Sequence, residues 1–92
     1  MDLPIKRRCF AKTKAALNVY YDSLPARQQA WKSVTSNEQV HAANTADRKA
    51  LEALQDAFHE DTKDINSLAH CRLVTAQDIA KMVDYQPELA AA

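Results

Sequence analysis

Ninety-two residues without a single glycine leave few ways to fold. Tight β-hairpin turns rely on residues that enter positive φ without strain, and glycine does so best. Ala, Gln, Lys, Glu and Leu are abundant instead, all good helix formers. The expected class is therefore all-α, a small helical bundle built as one helical domain over residues 1–92. Residues 88–92 are expected to be a flexible tail. A chain this short sits near the lower limit for an independent core. Although 47% of it is hydrophobic, many of those residues are alanines that bury little area each. Dimerisation or docking on a partner would supply the missing burial.

The pattern that organises the rest lies in residues 45–72. Leu51, Leu54, Phe58, Ile65, Leu68 and Ala69 recur at steps of three and four, which places them on one face of a helix. Ala50 and Ala57 widen that face, while Arg48, Gln55, Asp56, His59, Glu60 and Lys63 fall on the other. A long central helix is expected over 45–72, with Thr45 as its cap. Asp47 and Asp61 sit inside the apolar stripe, where a carboxylate is costly unless paired or at an edge. A basic side chain of the first helix, from the same chain or a second copy, would account for Asp61.

Upstream, Pro4 suits the first turn of a helix. Ile5, Cys9, Phe10, Leu17, Tyr20, Tyr21 and Leu24 form a broad face, which predicts an N-terminal helix over 4–21. Asp22-Ser23-Leu24-Pro25 reads as a stop and restart, with a short helix over 25–34. Trp31 is there a core anchor or an interface hot spot. Ser36 and Gln39 stand at capping-box spacing. A last short helix over 75–85 starts with Thr75 as cap and Asp78 in its first turn, and Pro87 follows it.

No catalytic constellation is visible. Without glycine there is no phosphate loop, dinucleotide fingerprint or nucleophile elbow. On one continuous helix His59 and His70 would lie ~16 Å apart, and the neighbours His70 and Cys71 would diverge by roughly 100°. The expectation is no enzyme, no cofactor, no metal site and no small-molecule substrate.

Lysines plus arginines number 12 and so do aspartates plus glutamates, which counts against a generic polyanion binder. The distribution is uneven, with a basic patch of Lys6, Arg7, Arg8, Lys12 and Lys14 and an acidic middle from Glu52 to Asp64. Cys9 and Cys71 are too few for a disulfide framework. No apolar run is long enough for a membrane span or signal peptide. A cytoplasmic location is expected.

Helices in the order short (25–34), long (45–72), short (75–85) resemble the histone fold over residues 25–86. Arg72-Leu73-Val74-Thr75-Ala76-Gln77-Asp78-Ile79 looks like that family's second loop and third-helix start. The resemblance implies a salt bridge between Arg72 and Asp78. Leu73 stands where the family has a polar or basic residue, so the resemblance implies protein pairing more than DNA compaction. Residues 75–83 also look like the first helix of a helix-turn-helix. The recognition helix would then begin at Pro87, where nothing remains to read base edges. Leu89-Ala90-Ala91-Ala92 resembles the small apolar ends recognised by bacterial tail-reading proteases.

The expected function is a non-enzymatic regulator or assembly factor that binds another protein or forms a homodimer. Tyr20, Tyr21, Trp31 and Phe58 would be its apolar anchors, steered by Arg7, Arg8 and Lys12. The alternative is a nucleic-acid binder using the basic face of the N-terminal helix, as a histone-like dimer.

Overall fold

The computed structural model describes residues 9–85. Within them the chain forms helices α1 (Ala11–Lys32), α2 (Asn37–Thr62), α3 (Leu68–Cys71) and α4 (Ala76–Met82), with no strand among the described residues. The all-α class is as composition predicts. Pro4, Lys6, Arg7, Arg8, Pro87 and the tail over 88–92 lie outside the described residues.

The two helices expected over 4–21 and 25–34 are one, with Pro25 inside α1. An interior proline removes one helical hydrogen bond and costs ~3 kcal/mol in isolation. Here the preceding turn is tied by side chains. Ser23 Oγ and Arg27 Nη2 both donate to the Tyr20 carbonyl, at 2.9 and 2.6 Å. Packing on α2 then holds both halves of α1 in line.

The long helix is shifted towards the N-terminus relative to the stripe. It starts at Asn37 because Ser36 caps it, accepting the Gln39 N–H at 3.2 Å, so Thr45 lies in its interior. The Gln39 side chain serves Thr35 rather than Ser36, accepting its N–H at 2.6 Å and its hydroxyl at 2.9 Å. The helix ends at Thr62 instead of Arg72. Thr62 donates its hydroxyl back to the Phe58 carbonyl at 2.7 Å, a pattern that bends helices. Its own carbonyl accepts from Ile65 and Asn66. Ser67 then caps the four-residue α3. Ile65 and Leu68 fall beyond the break and are exposed. Gln55, assigned by periodicity to the solvent side, is buried and donates to the Val74 carbonyl at 2.9 Å.

Helix α4 opens on the expected cap. Thr75 Oγ1 accepts the Asp78 N–H and Asp78 accepts the Thr75 N–H, a full capping box. That engagement overturns the implied Arg72–Asp78 bridge. Arg72 turns to α2 instead, pairing with Asp56 and donating to the Glu52 carbonyl. The end of α4 is a Schellman motif, with Tyr85 N–H to the Ala80 carbonyl and Asp84 N–H to that of Lys81. It needs a left-handed residue, and Asp84 takes the place glycine usually fills, at φ 55°.

The core gathers at one end. Phe10, Leu17, Leu54, Phe58, Cys71, Ala76, Ile79, Ala80 and Val83 are buried together, with Tyr20, Tyr21, Leu51, Val74 and Tyr85 against them. Each large side chain buried there contributes ~1.5–3 kcal/mol. Helices α3 and α4 cover one side of the α1–α2 hairpin, at its open end only. That end is the head. Residues 24–50, the turn end of the hairpin, form an arm in which only Arg27 and Ala43 are buried.

Candidate interaction surface

The head and arm are aligned by two polar clamps. At the head end, Phe10 begins α1 in a left-handed conformation and offers no side-chain cap. Asp61 of α2 supplies one, accepting the Thr13 N–H at 2.8 Å and the Thr13 hydroxyl at 2.7 Å. At the arm, Arg27 Nη1 donates to Asp47 at 3.1 Å, Arg27 Nε donates to Ser23 at 3.0 Å, and the guanidinium lies 4.4 Å from the Tyr20 ring centre. Thr13 and Arg27 are fourteen residues apart on α1, and so are Asp47 and Asp61 on α2. Fourteen residues are two heptads, the repeat that keeps two helices in contact. The two carboxylates that interrupt the stripe are thus satisfied within the chain, and they fix the hairpin's register.

Asp47 also accepts the Trp31 indole N–H at 2.6 Å. That bond, and then the hydrogen bond and charge of Arg27, hold the Asp47 carboxyl below its ordinary range against the opposing effect of burial. Trp31 is pinned across the arm while remaining 38% exposed. The core-anchor alternative for this residue is therefore replaced by a side chain at the surface. Around it runs an open groove of about 490 Å³ between α1 and α2, with Leu24, Gln28, Asn44, Arg48 and Leu51 on its walls. The same side of the hairpin is filled by α3 and α4 in the head.

On the other side of the hairpin no described residue packs. Relative to the contact line through Arg27 and Ala43, Val19, Ala26 and Ala30 on α1 lie roughly 60–100° round their helix, and so do Ala42, Ala46 and Ala53 on α2. All six are exposed, Val19 at 68%. Between Ala30, Ala42 and Ala46 they leave a shallow trough of about 330 Å³.

The remaining predicted residues divide between core and surface. Phe58 is 2% exposed, so its ring belongs to the core and is not available as an interaction anchor. Tyr20 and Tyr21 are half-buried and meet edge to face. Tyr21 stacks on Tyr85, whose hydroxyl donates to Asn18 at 2.6 Å. Burial, and then the charge of Asp22, push the Tyr85 phenol above its ordinary value. Of the basic patch, Lys12 is exposed and reaches Glu60 at 3.7 Å, and Lys14 is exposed. Lys6, Arg7 and Arg8 lie outside the described residues.

The break after Thr62 brings His59 Nδ1 within 3.8 Å of the buried Cys71 thiol, a pairing that a continuous helix would forbid. Among the described residues no group of three or more His, Cys, Asp or Glu side chains is placed to hold a metal ion. No helix among them is long and apolar enough to cross a membrane.

Charge follows the same division. The arm carries Arg27, Lys32, Arg48 and Lys49 against Glu38 and Asp47, an excess of two positive charges. Because the chain is neutral overall, the rest carries an equal excess of negative charge. Searches of family models, of curated proteins and of solved structures return no match to this chain.

Proposed function

We propose that this chain is a non-enzymatic, self-associating protein-interaction protein, a regulator or assembly factor whose working surface is the α1–α2 hairpin. The observation that carries the reading is the arm. Over residues 24–50 only two side chains are buried, yet the segment holds a fixed register and presents an exposed tryptophan and an exposed alanine-rich side. Helices in water gain most of their stability from packing, and a lone hairpin offers little. An arm kept in order by its own polar clamp, with both broad sides uncovered by any described residue, is suited to packing against protein. Trp31 is its largest exposed ring and the kind of residue that dominates interface energetics.

Amide hydrogen exchange at two protein concentrations tests this. Arm amides should exchange faster than head amides in dilute solution and gain protection as concentration rises. An arm whose exchange is independent of concentration, in a protein that also retains no specific partner from its host, would remove the reading.

A further inference from the structure

We infer that a second copy of the chain covers the uncovered side of the hairpin, antiparallel and head over arm, making a four-helix layer pair. The inference rests on the self-association proposed above and names the surface that performs it. It starts from where α3 and α4 lie. They close one side of the hairpin at the head, and among the described residues the opposite side is left open along both helices, from Lys12 to Ala30 on α1 and from Ala42 to Glu60 on α2.

Area favours a partner of the same kind. Helix α1 has 22 residues and α2 has 26, so the shared face is ~33 Å long at ~1.5 Å per residue. Two helices side by side make it about 20 Å wide. That footprint, on the order of 650 Å² before surface relief, approaches the ~800 Å² each partner contributes to a standard stable interface. The arm alone would supply less than half of it. Small side chains in the middle of the face, Ala26, Ala30, Ala42, Ala46 and Ala53, let two helical layers approach closely, and the longer Lys12, Lys49 and Glu60 lie towards its ends and edge.

Charge selects the direction. The arm carries an excess of two positive charges, and the described residues of the head, 9–23 and 51–85, carry an excess of three negative ones. A two-fold axis lying in the interface and perpendicular to the helices sets each arm over the other copy's head. It brings exposed Lys49 towards the acidic run of Asp56 and Glu60 on the facing α2. A two-fold along the helices would set like ends together and oppose association.

Sedimentation equilibrium on the whole chain, from a few to a few hundred micromolar, tests the pairing. The wild type should dimerise, and Ala46→Glu or Val19→Lys should weaken dimerisation at least tenfold. Both positions are exposed, so circular dichroism should report unchanged helicity. Trp31→Ala, on the opposite side, should leave the dimer intact. A monomeric wild type overturns the inference. A dimer that ignores Ala46→Glu and Val19→Lys but dissociates in Trp31→Ala overturns the chosen face while sparing self-association through the arm. For direction, spin labels at Ser33→Cys in a Cys9→Ser background should lie more than ~30 Å apart across the dimer. A separation under ~15 Å would mean like ends together and would overturn the antiparallel arrangement.

Discussion

Head and arm are cut from the same two helices, yet they are held by different physics. In the head, α1 and α2 meet through Leu17, Leu54 and Phe58 under a lid of α3 and α4. In the arm the same line of contact passes through a guanidinium, a carboxylate and an alanine. Apolar burial is non-directional and scales with area, so the head draws stability from many neighbours at once. A charged hydrogen-bonded cluster is directional and gains little net stability, but it discriminates strongly between registers. The difference suggests a division of labour, in which the head makes the fold stable and the arm holds a surface in place.

Substitutions can break this contrast. The largest effect should come from Phe58→Ala, which leaves a cavity in the head and is expected to cost ~3–5 kcal/mol, enough to unfold much of a small domain. Urea denaturation monitored by circular dichroism would show it, and a loss below ~1 kcal/mol would mean the head is not the stabilising half. Arg27→Ala should cost about 2–3 kcal/mol, because it takes the cation from Asp47, leaving it the Trp31 N–H, and removes one of the two side-chain donors to the Tyr20 carbonyl. Its signature should be local, with arm amides exchanging faster while head amides change little. Asp61→Ala removes the cap of α1 and should cost ~1–2 kcal/mol, felt at the start of that helix.

Acid sharpens the same comparison. The folded-state pKa of Asp47 lies below its ordinary value of 3.8. Its contribution is therefore fully present above that value and is lost as pH falls through the folded-state value. Wild type and Asp47→Asn should differ in urea midpoint at pH 6 and converge as pH drops below about 4. A difference that persists unchanged in acid would show that Asp47 acts by shape alone. The smallest effect is expected at the end of α4. Asp84→Gly relieves a left-handed residue with a side chain and should stabilise by about 0.5–1 kcal/mol.

How much of this was legible depended on whether the signal was local. The all-α class followed from the missing glycines and the helix-forming composition. The capping box of Thr75 and Asp78 and the cap at Ser36 could be read because they involve only neighbouring residues. Asp47 and Asp61 were visible as anomalies, but their partners lie 20 and 48 positions away, so only the fold could name Arg27 and Thr13. Pro25 misled because its local penalty is outweighed by packing along α2. The end of α2 misled in the opposite way. Ile65 and Leu68 continued the stripe's period, and the polar run through Asp64, Asn66 and Ser67 was the stop signal that the period concealed. The interaction face had no signature of its own, since exposed alanines on a helix look the same in sequence as half-buried ones. The pairing of His59 with Cys71 depends wholly on that break.

The Asp61 cap also bears on how the chain is made. Helix α1 is synthesised first, but the group that satisfies its opening turn arrives 48 residues later. Until Asp61 has been translated, that turn has no carboxylate to cap it. The first helix to emerge is therefore completed only as the second one ends, and a nascent chain ending before residue 61 should carry a frayed start.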